Sequence, residues 1–125
     1  MTAPAWMDAV IGEFGRAAGL GGLSLGEAGV AALRFENGAA LRLEYTGSEL
    51  VVAMTFPRGD LKRLLSFAHP KAAFGFRARC GILPKTGEFL VAVRLAERDV
   101  TLPRLNDAFA LLWRLAGETG GGSWA

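Results

Sequence analysis

Between Ala31 and Phe56 the apolar residues recur at every second position, and that period commits this part of the chain to an antiparallel sheet. Leu33 and Phe35 alternate with Arg34 and Glu36, and Asn37-Gly38 follows, a pair that readily takes the positive φ angles of a tight hairpin. On the return run Leu41, Leu43 and Tyr45 share one face, with Arg42 and Glu44 on the other. Thr46-Gly47-Ser48 turns the chain again. Leu50, Val52, Met54 and Phe56 then form one face of a third strand. Its other face, Val51, Ala53 and Thr55, carries no charge, so cover on both sides is expected there.

Two later runs keep the same period. Phe74, Phe76, Ala78 and Cys80 alternate with Arg77 and Arg79, and Pro84-Lys85-Thr86-Gly87 separates them from Phe89, Val91, Val93 and Leu95. Three other segments carry the helical period. Met7, Val10, Ile11, Phe14 and Ala18 form a stripe on a helix expected over 3–20, with Asp8 and Arg16 placed to suit its dipole. Gly12 and Gly15 are expected to let that helix lie close to a sheet. Leu61, Leu64, Leu65 and Ala68 mark a short helix that Asp60 caps and Pro70 stops. Leu105, Ala108, Phe109, Leu112 and Leu115 mark a closing helix, capped by Thr101 or Asp99 and ended at Gly117. The order is α-β-β-β-α-β-β-α, an α+β fold with a five-stranded antiparallel sheet flanked by helices. Residues 1–118 read as a single domain and 119–125 as a disordered C-terminal tail.

A chain of 125 residues has room for one modest core, yet 51% of its residues are hydrophobic. The surplus apolar surface is expected to face a second subunit or a client. No apolar run reaches the roughly 18 to 20 residues of a membrane span. The opening stretch Met1–Ala9 holds Asp8 and no basic residue, unlike a secretory signal. Cys80 is the one cysteine, which excludes an internal disulfide framework and fits a reducing cytoplasm. Fourteen basic and twelve acidic residues are scattered, without a basic tail.

The chemistry-bearing residues do not assemble into a site. His69 is the one histidine and has no nucleophile or carboxylate near it in sequence. Cys80, on the apolar face of a strand, reads as a small buried hydrophobe. The glycines between Gly19 and Gly29 follow a helix and precede a strand, the reverse of a phosphate-binding loop. No carboxylate pair or metal-ligand spacing stands out, so no catalytic residue, cofactor or metal is expected. Phe74-Gly75-Phe76 resembles the centre of an RNA-recognition motif, but Ala73, Arg77 and Arg79 break the pattern. The residues leave a second reading open, a small basic nucleic-acid-binding module using Lys62, Arg63, Arg77 and Arg79.

Three stretches together resemble the class I chaperones of bacterial type III secretion, the Tir-chaperone family, and within it the SycN-like members. They are Met7–Arg16 as the opening helix, Gly87–Leu95 as the late strand, and Leu102–Phe109 followed by Leu112 as the closing helix. The resemblance implies an ATP-independent chaperone that holds the N-terminal region of a secreted effector or gatekeeper protein in extended form. It implies a homodimer, or a heterodimer with a related small chaperone, built on the middle helix and the strand after it. Leu61, Leu64, Leu65, Phe74 and Phe76 become the expected dimer residues, and Trp6, Val51 and Ala53 the expected client-binding patch. It implies a cytoplasmic protein without cofactor or membrane partner.

Overall fold

The computed structural model describes residues 2–36, 38–57 and 78–119. In chain order these form helix α1 (Ala5–Ala17), strands β1 (Val30–Arg34), β2 (Ala40–Tyr45), β3 (Glu49–Phe56), β4 (Ala78–Ile82) and β5 (Phe89–Ala96), a short 3₁₀ turn (Glu97–Asp99), and helix α2 (Leu102–Thr119). The expected middle helix around Leu61–Ala68, the first half of the expected fourth strand and residues 120–125 lie outside the described residues.

The five strands make one antiparallel sheet in the order β1-β2-β3-β5-β4. The period of two decides its faces. Leu50, Val52, Met54 and Phe56 of β3 meet Leu95, Val93, Val91 and Phe89 of β5 residue for residue, and all eight are buried. Helix α2 covers this inner face, and α1 packs against α2. Leu105, Ala108 and Leu112 of α2 and Met7, Ile11 and Phe14 of α1 are buried in the common core, where Phe14 meets Phe109 of α2. On the outer face Val51, Ala53 and Thr55 are half-buried, not covered as expected. Their neighbours across the strands include Arg42, Glu44 and Arg94, long side chains that shade small residues without sealing them from water.

The helix ends follow from local hydrogen bonding. Thr101 caps α2: its carbonyl accepts from the Leu105 amide at 2.9 Å and its hydroxyl from the Arg104 amide at 3.4 Å. Asp99 closes the preceding turn instead, its carbonyl accepting from the Thr101 amide. α2 continues past Gly117 to Thr119, since a glycine lowers helix stability by about 1 kcal/mol but does not forbid the conformation. Two residues past the end of α1, Gly19 with a φ of 73° lets the Leu20 amide reach back to the Gly15 carbonyl at 2.7 Å and the Gly19 amide to that of Arg16.

Gly15 does allow a close approach, but by the following loop and not by the sheet. A methyl group there would lie 2.6 Å from the Gly21 carbonyl oxygen and 3.1 Å from the Leu23 side chain. Asp8 holds the same loop from the other end of α1, its carboxylate accepting from the Leu25 amide at 2.8 Å and from the Ser24 hydroxyl. Gly15→Ala is therefore expected to destabilise the fold by about 1–3 kcal/mol. At Gly12 the nearest atoms are 3.6 and 3.7 Å away, and Gly12→Ala is expected to stabilise by about 0.5–1 kcal/mol. Urea midpoints of the two variants check the opposite signs.

Candidate functional site

The sheet order makes β1 and β4 its edges among the described residues. Along β1 the hydrogen bonding alternates. The Tyr45 amide donates to the Gly29 carbonyl and the Phe35 amide to the Ala39 carbonyl, which fixes Gly29, Ala31, Leu33 and Phe35 as the residues that bond to β2. Val30, Ala32 and Arg34 therefore turn their backbone groups outward. The Val30 amide is taken up by the Leu25 carbonyl at 3.0 Å. Among the described residues, no backbone group takes up the amides of Ala32 and Arg34. This is a short open template for another strand.

Beside that edge stands a cluster of rings. Phe35, just beyond β1, lies 5.0 Å from Trp113 and 6.5 Å from Phe109, and the rings of Phe109 and Trp113 are 5.8 Å apart. Phe14 of α1 meets Phe109 edge-on at 5.6 Å. Phe14 is buried, whereas Phe35, Phe109 and Trp113 are half-buried, as is Leu33 on the same side of β1. A strand added to β1 would lay alternate side chains over these rings and direct the others to the outer face.

The expected client residues fall into two places. Trp6 is on α1, on the helix side of the sheet, and 47% of its surface is exposed. Val51 and Ala53 lie on the outer face, at the floor of a groove of about 660 Å³. The fold does not bring Trp6 together with them. The expected dimer residues Leu61, Leu64, Leu65, Phe74 and Phe76 lie outside the described residues, as do His69, Lys62, Arg63 and Arg77.

Sequence reasoning did not single out the ring cluster. Its signal was present in the four-residue spacing of Phe109 and Trp113, which puts both on one flank of a helix. Nothing local in the sequence says that Phe35 joins them.

Tyr45 and Cys80, near these surfaces, play structural parts. Tyr45 is buried, and its hydroxyl lies 3.0 Å from the Gly47 carbonyl and 3.1 Å from the Glu97 carboxylate. Burial, then the Glu97 carboxylate, raises its pKa and keeps it a neutral phenol. Cys80 on β4 pairs with Val91, and burial raises its thiol above the ordinary value. A raised pKa leaves less thiolate at a given pH, so iodoacetamide should modify Cys80 more slowly at pH 8 than a free cysteine. The midpoint of its rate–pH profile is expected above that of the free thiol. Among the described residues no group of His, Cys, Asp or Glu is gathered so as to hold a metal ion. No helix among them is long and apolar enough to cross a membrane.

A family model described as the type III secretory system chaperone SycN matches residues 6–119. The chain belongs to the SycN family of type III secretion chaperones. The match runs from Trp6 at the start of α1 to the end of α2, so it spans both helices, the open edge and the ring cluster. No curated protein sequence matches this SycN-family chain. Solved structures share its fold. In the complex of ExsC with ExsE, one chain aligns with a TM-score of 0.71 at 22% identity, over 93% of this chain and 92% of that one. The Yersinia pestis type III secretion chaperone SycH, in complex with a stable fragment of YscM2, gives 0.65 at 20% identity, over 94% and 99%. The ExoT–SpcS complex from Pseudomonas aeruginosa gives 0.65 at 16% identity, over 94% and 99%. These likenesses establish that the five-stranded sheet with its helices is the secretion-chaperone fold.

Proposed function

We propose that this SycN-family chain binds the N-terminal region of a secreted effector or gatekeeper protein and holds it extended, without ATP. The observation that carries this reading is the open edge of β1 beside the half-buried rings of Phe35, Phe109 and Trp113. The edge offers main-chain hydrogen bonds that any sequence can use, and the rings select apolar side chains from it. An extended client pays its ordering cost on binding, which suits release for secretion better than a folded partner would. The SycH structure, which holds a fragment of YscM2, supports a polypeptide as the ligand.

The working unit in this reading is a cytoplasmic dimer of one domain spanning residues 1–118, either of two copies or with a related small chaperone. Leu61, Leu64, Leu65, Phe74 and Phe76 form its contact, and Trp6, Val51 and Ala53 contribute further client contacts. The role is binding without catalysis.

The test is co-purification. The tagged chain, expressed in a secretion-competent host, is expected to retain a secreted protein through that protein's N-terminal region, with or without nucleotide. Retention that requires ATP, or the absence of any secreted protein on the wild-type chain, would count against the reading.

A further inference from the structure

The outer face of the sheet carries a charge pattern that the ring cluster does not explain. Cross-strand register lines up Ala32, Arg42, Ala53, Ala92 and Arg79 across all five strands. The next row is Arg34, Ala40, Thr55, Leu90 and Gly81. Small residues, interrupted by Arg42 and Leu90, thus floor a groove of about 660 Å³, and its lining holds Arg34, Arg42, Arg79 and Arg94 against one carboxylate, Glu44. Arg42 is paired with Glu44 at 3.1 Å, and Arg94 with Glu49 at 3.2 Å. Arg34 and Arg79, at opposite edges of the sheet, are exposed and have no carboxylate within salt-bridge distance among the described residues.

We propose that this groove takes an extended acidic segment of the secreted client, with carboxylates meeting Arg34 and Arg79. The inference rests on the chaperone reading above and names the chemistry of the chain it holds. Three features favour that occupant. Residues 58–77 of this chain bring Arg58, Lys62, Arg63, Lys71 and Arg77 against Asp60, so their composition does not supply the missing negative charge. A second copy related by a two-fold axis would set this basic surface against itself. A nucleic acid would find no ring among the lining residues on which to stack a base, and Glu44 would face its phosphates.

The geometry also gives a spacing. Arg34 and Arg79 lie four strand spacings (about 19 Å) apart across the sheet and two residues (about 7 Å) apart along it, roughly 20 Å in all. In an extended segment, residues i and i+6 are on the same side and about 20 Å apart. Two acidic residues six positions apart, with small side chains between them on that side, match the floor and both arginines.

The test uses the full chain and fluorescent probe peptides of about 12 residues, alternating serine and valine, with glutamates or lysines six positions apart. Anisotropy at low salt should show the glutamate probe bound at least about tenfold more tightly than the lysine probe, with the preference fading as salt rises from about 50 to 500 mM. The double variant Arg34→Glu, Arg79→Glu should reverse the preference, and Arg34→Gln, Arg79→Gln should abolish it. Circular dichroism confirms that each variant is folded. Equal binding of both probes to wild type, or an unchanged preference in either double variant, would overturn the proposal. So would complete displacement of the glutamate probe by a short RNA, which would assign the groove to nucleic acid. If the double variants still retain the secreted protein at wild-type affinity, the groove proposal fails and the chaperone reading stands. If wild type retains no secreted protein, the chaperone reading fails, and the peptide titration still judges the groove's charge preference.

Discussion

Phe56→Ala is expected to lower the folding stability by about 3–5 kcal/mol. Phe56 is fully buried and ends the inner face of β3, where it stands opposite Phe89 of β5 with ring centroids 5.8 Å apart and planes at 78°. Alanine removes the apolar surface, the edge-to-face contact and the filling of the sheet's central strand pair. Domains of this size are commonly stable by about 5–15 kcal/mol, so the variant approaches the threshold of unfolding. Thermal melting of wild type and variant checks it. Trp6→Ala gives the contrast: with Trp6 half exposed on the outside of α1, its melting temperature should stay near wild type.

Ala32→Pro should leave the fold nearly intact and weaken client binding by roughly tenfold to a hundredfold. The Ala32 amide points out from β1, so proline removes no bond to β2, and an edge strand tolerates the ring. For an incoming strand the same ring takes away one donor and blocks its approach. Ala32→Ser keeps the amide and should bind as wild type does. Trp113→Ala should weaken binding through the ring cluster without touching the edge. Titration of a labelled client N-terminal region measures all three. An unchanged affinity for Ala32→Pro would remove strand addition from the account and leave the family assignment in place.

Much of this fold was legible because the sheet is written in a period of two. Leu41, Leu43 and Tyr45, and the eight paired residues of β3 and β5, fall on the buried face as their alternation requires. The ends were less legible. β1 stops at Arg34, two residues before the expected Glu36, although the Phe35 amide still bonds to the Ala39 carbonyl while its ring lies against those of α2. Leu111 and Ala116 join the buried side of α2 while Phe109 moves to its rim, since α1 and the sheet cover two flanks of the helix. Charge pairs could not be read either. Arg94 and Glu49 are far apart in the chain and meet only once β3 and β5 are in register. The groove was hidden for the same reason, since each of its rows runs across the strands and draws one residue from each.

Amide hydrogen exchange at Ala32 and Arg34, with and without a bound client N-terminal region, tests the central claim most directly. In the free protein both amides point outward from the edge of β1 and should exchange quickly. With the client bound as an added strand, the amides that pair with it should slow by about tenfold or more, while buried positions such as Val52 stay unchanged. A complex in which Ala32 and Arg34 exchange as fast as in the free protein would contradict the account.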